Sequence, residues 1–442
     1  MVPHTRSLQP AFALAPNPQA PNETNWKGWP SEDRQCDEQG NCWPRLFIIG
    51  TQKGASSSLF NVLHEEGIAC GTMMNDAVHQ ALPTAAAAKA QPARVAEGGL
   101  MKEAHMLDLS KPDWQTLLKQ PELYRSLYRV RDCPQRTFLD ATPKYSRHPG
   151  APGRLLELMP ASWVPQLRVV LSIREPVARD LSWFNHKCAQ LNQNRASMVD
   201  QFCSVSGDGG VDDYPTYEGE VRCRKQELDS CMSGARLRLN LNNMSEVVPH
   251  NKSKGDNSTS LLEDYSECVE GIWHNNLSRS DPDNSASWDD QSSSPWETPP
   301  GVKPGGDSVL LAWGMYLPQI QAWSRHLSRS QILVLDFDQL VTQPEDMLPR
   351  VTSFMGLPGL RNNKMPHENG LPYARKVDVI SCETSRFMYG TFREANDQLV
   401  RAMREDHERG HAPSQEPLFL GFSTTVPCEE QEHVWLEGQE HE

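Results

Sequence analysis

From Arg45 onward the chain alternates between two patterns of apolar spacing. Short apolar runs, "RLFIIG" (45–50), "KEAHMLD" (102–108), "RTFLDA" (136–141), "LRVVLSIR" (167–174) and "QILVLDF" (331–337), predict strands. Between them, apolar residues at helical spacing predict helices over 55–66, 112–129, 151–159, 176–188, 344–356 and about 383–405. Val309, Trp313, Tyr316, Leu317, Ile320 and Leu327 continue the helical spacing ahead of the last strand. Strands and helices in alternation imply an α/β fold, a mainly parallel sheet flanked by helices. No internal repeat interrupts the pattern.

The pattern fails in three places. Residues 1–44 are rich in Pro and Asn without a period and read as a linker or stem. A domain over 45–405 is interrupted at 192–306 by a long irregular insertion rich in Ser, Asn, Asp and Gly. Residues 406–442 form an acidic C-terminal segment.

Composition narrows the class. Hydrophobic residues make up 38% of 442, with twelve Trp, enough for a real core. The formal charge of −14 argues against a nucleic-acid partner. Eleven cysteines leave at least one outside any intramolecular pair. Cys188, Cys203, Cys223, Cys231 and Cys268 lack the spacing of a zinc site and fit a disulfide set better. Sequons at Asn22, Asn243, Asn251, Asn257 and Asn276 agree with a glycosylated protein of the secretory lumen. No apolar run reaches spanning length, and the N-terminus has no signal-like apolar region. A membrane anchor is therefore absent from this chain, or the protein is not secretory; oligomeric state is not readable.

The chemistry begins at "GTQKGASSSLF". An apolar strand stops at a glycine, and a loop holding Gln52, Lys53, Gly54 and Ala55 runs into Ser56, Ser57 and Ser58 at a helix start. Strand, tight loop and helix N-terminus hold phosphates, because N–H groups and the positive end of the helix dipole face one point. A capped helix with a surface lysine has the same outline. The usual nucleotide loop places Lys-Ser or Lys-Thr after its second glycine, whereas here Lys53 precedes Gly54. A second station, "LSIREPVARDLSWFNH" (171–186), ends a strand at Arg174 and puts Arg179 and Ser182 three apart on the next helix. Read alone it is a salt-bridge cluster; read with the first loop it implies a ligand with two phosphate-bearing ends. On a strand, Glu103 and His105 point to one face, where Glu103 is the candidate general base and Asp140 the alternative.

Lys-Gly-x-Ser-Ser-x-Leu after a strand, with Arg-x-Pro-x-x-Arg-x-x-Ser more than a hundred residues later, resembles the sulfotransferase family. The likeness is greatest to Golgi carbohydrate sulfotransferases of the heparan and chondroitin sulfate type. "KEAHMLD", "FLDATPKYSRHPGAPGRLLELMP" and "GMYLPQIQAWSRHLSRSQILVLDFDQLVTQPEDMLPRVTSFMGLP" extend it over residues 45–190 and 308–405. The resemblance implies PAPS as sulfuryl donor, its 5′-phosphosulfate on residues 52–58 and its 3′-phosphate on Arg174 and Ser182. It implies a carbohydrate hydroxyl as acceptor, Glu103 as base, Lys53 as the charge on the leaving oxygen, His105 orienting the acceptor, and no metal. This chain departs from the family at Ala55, where glycine is usual, at Ala141, where a lysine is usual and Lys144 is the nearby substitute, and at Met106 and Leu107, where aromatics are usual. A P-loop kinase, marked by a Mg²⁺ requirement, and a non-catalytic glycan-binding relative are the alternatives.

Overall fold

The computed structural model describes residues 36–72, 78, 81–82, 102–109, 111–133, 137–148, 150–193, 216–224, 313–366 and 380–410. Four strands form one sheet: β1 (Leu46–Gly50), β2 (Leu139–Asp140), β3 (Arg168–Ile173) and β4 (Ile332–Asp336). Their order is β2-β1-β3-β4, and every pair is parallel. Phe47 stands opposite Asp140 on one side and Val169 on the other, and Ile173 stands opposite Asp336. This is the expected α/β fold with a parallel sheet between helices.

Both faces of the sheet are covered, which is why the strands are almost uninterrupted apolar runs. Phe47, Ile49, Val169, Leu171 and Ile173 enter one core with residues of α2 (Lys111–Lys119), α4 (Ala151–Leu158) and α7 (Tyr316–Ser324). Leu46, Ile48, Val170, Leu333 and Leu335 enter a second core on the other face. That core is completed by α1 (Ser56–Glu65), α8 (Phe337–Thr342) and α9 (Pro344–Met355). The period-two alternation of β1 thus divides its side chains between two apolar layers.

Five expectations change. The helix over 112–129 is two: α2 ends at Lys119, and α3 (Glu122–Arg125) restarts after Pro121. Proline has no N–H and its ring clashes with the preceding turn, so the break lies where the residue itself dictates. The segment 102–108 is not a strand. Its amides find side-chain acceptors instead, as described below.

The folded part begins before residue 45. A Cys36–Cys42 disulfide closes a turn, Cys42 N donates to Tyr128 O at 2.7 Å, and Trp43 is buried against Tyr124. Inside the expected irregular insertion, 217–224 is helical (α6), and Cys223 is disulfide-bonded. Cys188, expected in the disulfide set, instead keeps a buried thiol, which burial pushes up to about 12. The five sequons lie outside the described residues.

The chain divides into two compact units. The first holds Met1–Glu175, Tyr316–Gly370 and Arg393–Phe422, and so contains the sheet and both cores. The second holds Pro176–Met315, Leu371–Phe392 and Ser423–Glu442. It includes α5 (Pro176–Gln193), α6 and the first part of α10 (Cys382–Glu408). In this unit a buried ion cluster ties α5 to α6: Arg224 reaches Glu220 at 2.7 Å and Asp180 at 3.4 Å, and Tyr217 donates to Asp180 at 3.1 Å.

Candidate functional site

Strand order decides where a ligand can enter the first unit. The chain leaves β1 for β2 on one side and leaves β3 for β4 on the other, so the sheet's switch point, the place where ligands bind in open α/β sheets, lies beyond the carboxyl ends of β1 and β3. The segment after β1 is the 51–55 loop, and the residue after β3 is Arg174. Sequence order alone could not put these together. In the fold Arg174 Nη1 donates to Lys53 O at 3.5 Å, its guanidinium lies 4.5 Å from the Phe337 ring centre, and Tyr316 Oη donates to Arg174 O.

The loop is anchored from beneath. Thr51 N and Thr51 Oγ1 both donate to Ser172 O, at 2.7 and 2.9 Å, and Gly54 N returns to Thr51 O at 2.9 Å. A Cβ at Gly54 would stand 2.5 Å from Ser172 O and 2.6 Å from Thr51 Oγ1, so only glycine fits. Lys53 and Ala55 flank it with φ of 70° and 64°. Alternating handedness of this kind is the backbone pattern that can turn successive N–H groups to one side, as in an anion nest. Ala55 adopts a left-handed conformation, which glycine would hold at lower cost.

Ala55 is also the N-cap of α1 and has no side-chain oxygen to cap with. The first intrahelical bond runs from Leu59 N to Ala55 O, so the N–H groups of Ser56, Ser57 and Ser58 precede the ladder. Ser56 and Ser58 are buried, and Ser57 is half-buried. Gln52 is half-buried at the loop.

Beside this N-terminus runs the 102–108 segment, held by side chains where a strand would use a ladder. Ala104 N and His105 N donate to Thr142 Oγ1 at 3.0 and 3.3 Å, and Met106 N donates to Tyr145 Oη at 2.8 Å. His105 has φ 56°, which ends any strand alternation. Glu103 and His105 nevertheless meet, with Glu103 Oε2 2.8 Å from His105 Nε2.

They belong to a longer line of alternating charge. Lys102 Nζ donates to Ser56 Oγ (3.2 Å), Ser57 Oγ (2.9 Å) and Glu103 Oε1 (3.0 Å). His105 Nδ1 lies 3.0 Å from Asp108 Oδ2, and Lys144 Nζ is 3.2 Å from the same oxygen. Burial alone would raise the Glu103 carboxyl, but the Lys102 ammonium and the His105 ring outweigh it and hold it at about 2. Burial alone would lower His105, but Asp108 and Glu103 outweigh it and lift the ring to about 9. Asp108 is held well below the carboxylate range against its burial, first by His105 and then by Lys144.

Asp140, the alternative base, has another place. It is fully buried, accepts from Thr142 Oγ1 (2.6 Å), Tyr124 Oη (3.0 Å) and Tyr145 Oη (3.0 Å), and lies 3.4 Å from Ala104 N. Burial raises its carboxyl, and these hydrogen bonds offset only part of that rise. Its geometry is that of a keystone under the 102–107 segment. Ala141 points into the apolar core with Leu139, and Lys144 supplies the charge at the far end of the line.

Of the expected site residues, the first unit brings together Gln52, Lys53, Gly54, Ala55, Ser56, Ser57, Ser58, Glu103, His105 and Arg174 on one side of the sheet's carboxyl edge. Ser182 is half-buried on α5 in the second unit. Arg179, also on α5, is buried, lying 3.7 Å from Asp180 and 5.9 Å from the Trp313 ring centre. Sequence reasoning passed over Lys102, Asp108 and Tyr145. The strand reading hid Lys102, because alternation would have turned it away from Glu103. Among the described residues no group of three or more His, Cys, Asp or Glu is arranged to hold a metal ion.

No family model and no curated protein matches this chain. Among solved structures, the crystal structure of a sulfotransferase from Alicyclobacillus acidocaldarius is similar at TM-score 0.39 and 13% identity, covering 81% of this chain and 95% of that one. At that distance the chemistry has to be read from the residues themselves.

Proposed function

We propose that the chain is a PAPS-dependent sulfotransferase acting on a carbohydrate hydroxyl in the Golgi or another secretory lumen. One observation carries the reading: an uncapped helix N-terminus at the sheet's switch point, with Lys53, Lys102 and Arg174 around it and a carboxylate one lysine away. Such a site suits a terminal phosphate whose leaving oxygen gains charge while a hydroxyl loses its proton. The lysine-first loop, which lacks the Gly-Lys-Ser/Thr order of P-loop kinases, favours a sulfuryl donor over a nucleoside triphosphate.

In the reaction, the acceptor oxygen attacks sulfur in line with the sulfur–oxygen bond to the 5′-phosphate. The new O–S bond forms as that bond breaks, and adenosine 3′,5′-bisphosphate leaves with the bond's electron pair. The loop amides and Lys53 take up the charge developing on the leaving phosphate oxygen. Glu103 receives the hydroxyl proton, and His105, an imidazolium at neutral pH, fixes Glu103 Oε2 and orients the acceptor. Arg174, at the carboxyl end of β3, serves the 3′-phosphate.

The test is transfer of label from PAPS to a panel of glycans, alongside binding of adenosine 3′,5′-bisphosphate. Wild type transfers label without added Mg²⁺, while Lys53→Ala loses transfer by at least a hundredfold and binds the bisphosphate more weakly. Undiminished turnover in Lys53→Ala overturns the loop assignment, and failure of wild type to bind the bisphosphate overturns the whole reading.

A further inference from the structure

Lys102 stands between the two halves of the proposed site. Its ammonium has three protons, and all three are engaged, by Ser56 Oγ, Ser57 Oγ and Glu103 Oε1. With a side chain only 17% exposed, it has little room to swing into solvent. An anion arriving at the first turn of α1 meets this ammonium already saturated. To bind the anion, Lys102 must release one partner. The serine hydroxyls can rotate and donate to the anion themselves, whereas Glu103 repels it. The partner released is therefore Glu103.

We propose that Lys102 is a counter-ion shared by the donor site and the base: Glu103 holds it until a phosphate binds at the α1 N-terminus, and the phosphate then draws it away. Donor binding thereby frees Glu103 Oε1 for the acceptor hydroxyl. The same movement removes the charge that most lowers the Glu103 carboxyl and so makes it a better proton acceptor. Before binding, a carboxylate at about 2 bonded to a lysine is a weak base, so an acceptor arriving first finds the site inactive. Residual contacts from His105 to Glu103 Oε2 and from Asp108 to His105 keep the carboxylate in place once Lys102 leaves.

This inference rests on the sulfotransferase reading, and a double-mutant cycle on nucleotide binding separates the two. The affinity of adenosine 3′,5′-bisphosphate is measured by calorimetry for the full chain as wild type, Lys102→Met, Glu103→Gln and the double variant. Lys102→Gln stands in if the methionine variant does not melt cooperatively. Sharing of Lys102 requires that Glu103→Gln tighten binding about three- to tenfold when Lys102 is present. It must tighten binding at least threefold less when Lys102 is replaced, because no ion pair then has to be broken.

If Lys102 stays on Glu103 throughout, the order reverses. The lysine then screens Glu103, and Glu103→Gln helps binding equally or more in the Lys102→Met background. That result overturns the inference and leaves the sulfotransferase reading standing. Absence of bisphosphate binding by wild type overturns both.

Discussion

At neutral pH the ring of His105 is an imidazolium, because Asp108 and Glu103 lie 3.0 and 2.8 Å from its two nitrogens and lift it to about 9. A histidine whose folded pKa is raised contributes stability that is complete below its unfolded value of about 6.5 and is lost as pH climbs through the folded value. His148 is the opposite case. Burial, and after it the charge of Arg154, holds it down at about 3, so its contribution is complete above about 6.5 and fades as pH falls. The two slopes meet near pH 6.5, where stability should peak. His105→Asn, which tolerates the left-handed φ of that position, should flatten the alkaline limb between pH 6.5 and 9 by about 1–2 kcal/mol, allowing for partial exposure of the ring. Urea denaturation across that range measures it, and an unchanged alkaline limb would detach His105 from the carboxylates. Glu103→Gln should stay folded and lose at least a hundredfold in turnover. Asp140→Asn should lose about 2–4 kcal/mol of stability, because its carboxylate accepts from two buried tyrosines and a threonine. A stable but inactive Asp140→Asn protein beside an active Glu103→Gln would move the base to Asp140.

The element that depends most on one small residue is the turn between β1 and α1. A left-handed alanine costs about 1–2 kcal/mol, and the extra freedom of glycine in the unfolded chain returns about 0.4–1. Ala55→Gly should therefore stabilise the protein by about 0.5–1 kcal/mol, visible as a shift of the denaturation midpoint at unchanged slope. Gly54→Ala, one residue earlier, should do the reverse, since its Cβ would meet the backbone oxygen Ser172 O. Opposite signs at adjacent positions are what the loop geometry requires. The 102–108 segment teaches a related lesson: its apolar alternation is genuine, with Ala104 and Met106 both buried. Yet Thr142 and Tyr145 take its amides, and His105 turns the chain left-handed, so no strand forms.

At the scale of the molecule, a disulfide ties segments that lie far apart in the chain. Cys70–Cys133 spans 63 residues, and Cys70 also bonds beside β2, donating to Thr137 O and accepting from Leu139 N. Replacing both cysteines by serine should cost about 2–4 kcal/mol, largely by freeing the unfolded chain. Wild type in reductant should lose at least as much on denaturation, since reductant also opens Cys36–Cys42 and the bridge at Cys223. These bridges fit a lumenal or secreted protein, and no described helix is long and apolar enough to cross a membrane.

The sequence by itself determined the strands that became β1, β3 and β4, the helices behind them and the loop at Lys53, because apolar spacing and punctuation by Gly and Pro act over a few residues. It also pointed to Glu103 and His105 as partners, through an alternation that the backbone does not follow. The tertiary structure alone decided the strand order β2-β1-β3-β4, and with it the meeting of Arg174 and Lys53 across 121 residues. It alone decided that Asp140 is buried beneath three side-chain hydroxyls, and that Lys102 faces both the α1 N-terminus and Glu103. The physical reason is range: spacing encodes which face a residue shows within its own element, whereas charge, burial and hydrogen bonding at a site depend on neighbours that only chain crossovers bring near.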